Sequence, residues 1–153
     1  MADGERSVRL RQRQGFELEI TWDPAKPPVV ADEPVPMGGG QGPNPSQLLL
    51  AAVASCMTDS LHFALRKFAL DAGPLSAEAI GEVGRNAEGR QRVLSIAVRL
   101  SVAKVPADAA KFARVLAQFE QFCTVGQSVA QGIATRVAVL DPDGRVLHGE
   151  VAA

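Results

Sequence analysis

The stretch NPSQLLLAAVASCM, from Asn44 to Met57, constrains this chain more than any other segment. Asn44 suits a helix N-cap, Pro45 the first helical position, and Gln47 the place from which a side chain reaches back to close a capping box. From Leu48 to Met57 only Ser55 is polar, so the helix has no wet face there. Such a stretch belongs inside the protein or between two protomers. The helix is expected over about residues 45–70, before the stop at Ala72-Gly73-Pro74.

Period-two alternation at Val8, Leu10, Phe16, Leu18, Ile20 and Trp22 predicts a hairpin over about residues 7–22, turning at Gln14-Gly15. Arg9, Arg11 and Arg13 then share the opposite face, which reads as solvated. Between Asp23 and Pro45 stand seven prolines and four glycines, which forbid a long helix. A Pro/Gly-rich loop over residues 23–43 is expected, with one short edge strand near Val29 to Ala31. Gly38 to Gly40 is followed by no Gly-Lys-Ser/Thr, so it is no Walker loop and reads as a mobile linker.

Beyond Pro74, Leu75 to Val83 and Arg92 to Ala103 read as strands joined around Asn86 to Gly89, with Leu94, Ile96, Val98, Leu100 and Val102 on one apolar face. Pro106 to Phe119 reads as a helix whose stripe is Phe112, Val115, Leu116 and Phe119. After a break near Gln121, a third helix is expected from Cys123 to Ala134. A hairpin of Thr135 to Leu140 and Arg145 to Val151 over Asp141 to Gly144 closes the chain. The fold class is α+β, read as a single domain over residues 1–153 with its C-terminal sheet and helices over 75–151.

Sixteen basic residues against 17 acidic ones leave a net charge of −1, which offers no field for nucleic acid or an anionic membrane. One tryptophan and no tyrosine make a poor platform for stacking bases. The first residues, MADGERSVRLRQRQ, hold no apolar run, and no stretch reads as the ~18 apolar residues of a membrane span. A cytoplasmic protein with neither nucleic-acid nor membrane partner is expected.

Cys56 and Cys123 are the only cysteines. In a reducing compartment they argue against a structural disulfide but allow a transient one. The residues alone leave Cys56 open between core packing and a reactive thiol. Cys123, at a helix start, stands where backbone N–H groups lower a thiol pKa. Desolvation among Leu49, Ala52 and Val53 raises that of Cys56 unless a cation or donor compensates. Asp59 and Ser60 share the face of Cys56, and the Ser60 hydroxyl is a candidate donor. His62 lies about 240° around the helix from Cys56, at ~100° per residue, which rules out a dyad within it. His148 falls in a terminal strand and reads as a surface residue. No short paired Cys/His spacing suggests a metal site.

The pattern Gly-x-Asn-Pro-x-Gln-Leu at Gly42 to Leu48, the Ala-rich helix ending in Cys56, and a second cysteine 67 residues on resemble the OsmC/Ohr family. The similarity follows the element order through nearly the whole chain. It implies an OsmC-like fold, with antiparallel strands around a long buried central helix. It also implies an intertwined homodimer with two long helices side by side and two sites at the subunit interface. The implied function is a cysteine-based thiol peroxidase that reduces organic hydroperoxides or hydrogen peroxide in oxidative stress defence. By that resemblance Cys56 is the peroxidatic nucleophile and Cys123 the resolving thiol, with an external dithiol as reductant and no metal or other cofactor. Ser46, Gln47 and Ser60 are the implied substrate-binding residues, and Arg13 and Arg11 the candidate source of a guanidinium. Where the family's peroxidases carry glutamate after Asn-Pro this chain has Ser46, and Thr124 replaces the proline that often follows the second cysteine. The rival reading is a non-catalytic or redox-sensing dimer whose apolar interface pocket binds a small lipophilic molecule.

Overall fold

The structure is a computed structural model that describes residues 4–151 and comprises two compact units, one up to Leu49 and one from Leu50 onward. In the first unit, β1 (Arg9–Gln14), β2 (Glu17–Thr21) and β3 (Val29–Ala31) form an antiparallel sheet in that order. Gly15, at φ 49°, makes the hairpin turn in the left-handed conformation that glycine adopts without a steric penalty. Arg11 stands opposite Glu19 in the ladder. The arginine face is therefore answered across the strands rather than simply solvated.

The glycine run is no mobile linker. Asp32 is 3% exposed, and its carboxylate accepts N–H groups from Glu33 at 2.8 Å, Gly39 at 2.9 Å and Gln41 at 3.2 Å. A Cβ on Gly38 would lie 2.4 Å from that carboxylate and 2.3 Å from the Glu33 carbonyl. Glycine is required because the loop is wound tightly about a buried charge, which only hydrogen bonds make tolerable.

The long helix α1 (Pro45–Lys67) opens as the capping box. Asn44 Oδ1 accepts the Gln47 N–H at 2.9 Å, and Gln47 Oε1 accepts the Asn44 N–H at 2.9 Å. Val53, Met57, Leu61 and Leu65 form its buried stripe, while Ala52, Ser55, Asp59, His62 and Arg66 are exposed. One corrected expectation concerns membranes: α1 has the length and hydropathy of a membrane span, a test that core helices also pass. Its Val53 to Leu65 stripe packs on protein, but only 28% of its most apolar window is buried, so the expected long buried helix is covered on one side alone.

The helix ends short of Leu70. Ala69 takes φ 52°, the Leu70 N–H reaches the Leu65 carbonyl at 2.9 Å and the Ala69 N–H reaches that of Arg66 at 3.0 Å. These are the two bonds of a Schellman cap.

In the second unit the sheet order is β4 (Leu75–Arg85), β5 (Gln91–Val102), β6 (Ala134–Leu140), β7 (Val146–Gly149). Its neighbours are antiparallel except β5 and β6, which run parallel and so need a crossover. That crossover carries α2 (Ala109–Gln118), a 3-10 turn (Phe119–Phe122) and α3 (Thr124–Val129). Ile96, Val98, Leu100 and Val102 alternate into the core, where Phe112, Val115, Leu116 and Phe119 are also buried. Leu94 is exposed at the end of that face and lies over Gly84. The third helix is shorter than its sequence suggests, because the chain must be extended by Ala134 to join the sheet.

The left-handed Ala69 yields a stability test. Ala69→Gly removes the Cβ penalty at the cap and should raise the unfolding free energy by about 0.5–1 kcal/mol in a urea titration, with an unchanged m-value.

Candidate active site

The second unit brings its two cysteines together. Cys56 is half-buried in the middle of α1. Cys123 is 1% exposed and is the N-cap of α3, where its Sγ accepts the Gly126 N–H at 3.2 Å as a serine oxygen would in a capping bond. The preceding amide, Val125 N–H, donates to Cys56 Sγ at 3.4 Å. Two consecutive amides of one short helix thus face two sulfurs from distant parts of the chain. Cys56 and Ser60, one turn apart on α1, both lie close enough to Cys123 to act on its thiol.

Charge is divided unequally. Burial pushes the Cys123 thiol up, the adjacent Cys56 pushes it further, and the Gly126 N–H and Ser60 oppose, leaving it at about 11. This reverses the sequence expectation for Cys123. A backbone donor does favour its thiolate, but it does not replace the water lost around a sulfur that is 1% exposed. At neutral pH Cys123 keeps its proton. Cys56 Sγ has its donor in the Val125 N–H.

Val125 and Gly126 are site residues that side-chain chemistry did not reveal. The available signal was a glycine three residues after a helix-capping cysteine. A Cβ on Gly126 would lie 2.8 Å from Cys123 Sγ and 3.0 Å from Met57 Cε, so the sulfur occupies the space a side chain would take.

One turn along α1 from Cys56, Ser60 helps to line a cavity of about 90 Å³ with Phe63, Phe68, Val115, Phe119 and Phe122; neither cysteine lines it. Phe63 and Phe122 are 69% and 67% exposed at its edge. Asp59 and His62 point into solvent. His148 is not a free surface residue: its Nε2 lies 2.8 Å from Glu120 Oε1, and its ring meets Phe119 edge-on at 5.9 Å.

The remaining candidates lie in the other unit. Arg13 bridges Glu17 at 3.2 Å and Glu19 at 2.9 Å, and Arg11 reaches Glu19 at 3.3 Å. Arg13 first, and then Arg11, hold the Glu19 carboxyl below its usual range. Gln47 is committed to the capping box, and Ser46 is half-buried in the first turn of α1. Among the described residues no cluster of three or more His, Cys, Asp or Glu side chains could hold a metal ion.

Two outcomes follow from this geometry. Gly126→Ala must displace Cys123 Sγ or Met57 and should destabilise the fold by about 1–3 kcal/mol in chemical denaturation. In the reduced protein, iodoacetamide at pH 7 should label Cys56 well ahead of Cys123. Labelling of Cys123 should then rise about tenfold per pH unit, levelling near pH 11, as read by peptide mass. Because the folded-state value lies above the free thiol's 9.0, the stability contributed by the protonated form is full below pH 9 and is lost as pH climbs to about 11.

Residues 38–138 match the family model described as OsmC-like protein. No curated protein matches the chain. Among solved structures, an OsmC-like protein of unknown function from Vibrio cholerae superposes with a TM-score of 0.76 at 16% identity, covering 90% of this chain and 100% of that one. The organic hydroperoxide resistance protein OsmC from Legionella pneumophila gives 0.67 at 15% identity over 91% of this chain and 98% of that one. The organic hydroperoxide resistance protein OhrB of Bacillus subtilis gives 0.63 at 17%, over 87% and 97%. At these identities the neighbours establish a shared α+β fold, and the family model, running across most of the sequence, establishes that the chain belongs to the OsmC-like protein family.

Proposed function

We propose that this protein is a thiol peroxidase that reduces organic hydroperoxides or hydrogen peroxide through Cys56 and Cys123. One observation carries the reading: the two cysteine sulfurs accept consecutive backbone N–H groups from the start of α3, Cys56 from Val125 and Cys123 from Gly126. A buried packing thiol needs no such partner.

In the proposed reaction the Cys56 thiolate attacks the distal oxygen of ROOH. The O–O bond breaks, Cys56 becomes a sulfenic acid, and the leaving alkoxide takes a proton to depart as ROH. Cys123 then loses its proton and attacks the Cys56 sulfur, so that the S–S bond forms and hydroxide leaves as water. An external dithiol reduces the disulfide and is itself oxidised to a disulfide. The Val125 N–H stabilises the attacking thiolate, and the Cys123 thiol, protonated at neutral pH, lies within reach to supply the proton. The aromatic-lined cavity suits the alkyl part of an organic hydroperoxide. The hydroperoxide-resistance names of the Legionella and Bacillus neighbours support the same chemistry.

The chain acts as a single OsmC-like domain, in keeping with a family match that crosses from one unit into the other. It works as a homodimer, which gives the exposed Phe63 and Phe122 and the uncovered side of α1 an apolar partner. A reducing cytoplasm supplies the dithiol. The pairing of Arg11 and Arg13 with Glu17 and Glu19, together with Ser46 in place of glutamate, favours a second reading in which the same disulfide forms slowly and senses peroxide.

Thiol titration after one equivalent of cumene hydroperoxide tests the proposal. Two thiols per chain should be lost rapidly and regained with dithiothreitol over repeated cycles, whereas no loss would refute it and loss without turnover would favour the sensor. Cys56→Ser should abolish peroxide consumption, at least 10³-fold, as expected for loss of a nucleophile. Cys123→Ser should leave a sulfenic acid that dimedone labels stoichiometrically.

A further inference from the structure

The place of Cys123 decides whether two sulfurs can meet, and it is set by the backbone before it as well as by its own capping bond. Its backbone N–H donates to the Glu120 carbonyl at 3.1 Å, and the Gln127 side chain, from α3, donates to the same carbonyl at 3.1 Å. Glu120 is thus the point where the 3-10 turn is tied to α3. Its side chain ties the turn a second time, to the sheet: His148 Nε2 on β7 lies 2.8 Å from Glu120 Oε1. The next residue back, Phe119, is fully buried and meets the His148 ring edge-on at 5.9 Å, with the planes inclined at 66°. Both partners of the polar contact are half-buried, where a hydrogen bond to a charged group is stronger than in open water.

We infer that Glu120 and His148 form a clamp that positions the resolving cysteine: it anchors the turn before Cys123 to strand β7 and so sets the effective concentration of Cys123 at Cys56. Neither residue touches the reacting atoms, and both act through the backbone of the turn. The inference rests on the disulfide chemistry proposed above and adds the residues that govern its second step. In that step the Cys123 thiolate displaces hydroxide from the Cys56 sulfenic acid. A turn that strays from β7 lowers the frequency of that encounter without altering either sulfur's own reactivity. The same loss weakens the finished disulfide against reduction, because intramolecular disulfide stability measures the same effective concentration.

The test compares wild type, Glu120→Ala and Glu120→Gln. Glu120→Ala leaves the Phe119 and His148 ring contact in place, and Glu120→Gln keeps an oxygen that accepts from His148. Each protein is oxidised with diamide and titrated in dithiothreitol redox buffers, and separately treated with hydroperoxide in the presence of dimedone. Glu120→Ala should lower the disulfide equilibrium constant about tenfold, a rise of about 30 mV in midpoint potential for the two-electron couple. It should also raise the dimedone-trapped fraction of Cys56 about tenfold, while Glu120→Gln stays near wild type in both. Unchanged midpoint and trapping in Glu120→Ala, even with a lowered Tm, would show a merely structural contact and overturn the inference. A wild-type disulfide that forms with diamide but not with hydroperoxide would refute the peroxidase alone, and the midpoint comparison would still decide the clamp. If diamide forms no Cys56–Cys123 disulfide, both fall.

Discussion

The arrangement depends on a feature of every helix start: consecutive N–H groups that have no carbonyl within the helix and point the same way. In α3 the amides of Val125 and Gly126 are two of these, and each finds a sulfur instead of an oxygen. Cys123 is therefore both a cap and a thiol, and the bond that begins the helix also locates the sulfur. The neighbouring amide extends the same service to Cys56, which comes from another element. Neither sulfur could be moved without leaving an amide unpaired, and a buried donor without a partner costs about 1–3 kcal/mol.

Burial then divides two chemically identical side chains. A single N–H favours a thiolate, but removing nearly all water from around it disfavours the charge more. Cys123 lies on the losing side of that balance and keeps its proton, while Cys56 is only half-buried. Gly126 makes the division possible, since the sulfur fills the volume a side chain would occupy.

What the sequence made legible is what local rules govern. The capping box at Asn44 and Gln47, the hairpin turn, which falls at Gly15-Phe16, one residue later than expected, the β5 alternation and the Phe112 to Phe119 stripe all depend on neighbours a few residues apart, and each is present. A motif and a spacing singled out Cys56 and Cys123, and the fold brings both to the start of α3. Their opposed environments were not legible, because the sign of the Cys123 shift depends on how completely the fold excludes water, which no window of residues encodes. The Gly38 to Gly40 run misled for a similar reason: a flexible composition becomes a rigid loop once Asp32 is buried inside it and draws three amides. His148 was unreadable because its partner, Glu120, stands 28 residues away on a different kind of element.

The arginines show how a local charge arrangement is met within one unit. Arg11 and Arg13 lie on one face of a hairpin with Glu17 and Glu19, and Arg13 gains two carboxylate partners at once. These pairs are exposed to solvent, and such pairs are screened and contribute little. They align the strands of the hairpin without deciding its stability, so the first unit rests on its backbone ladder and on the loop wound about Asp32, where burial makes each hydrogen bond count for more.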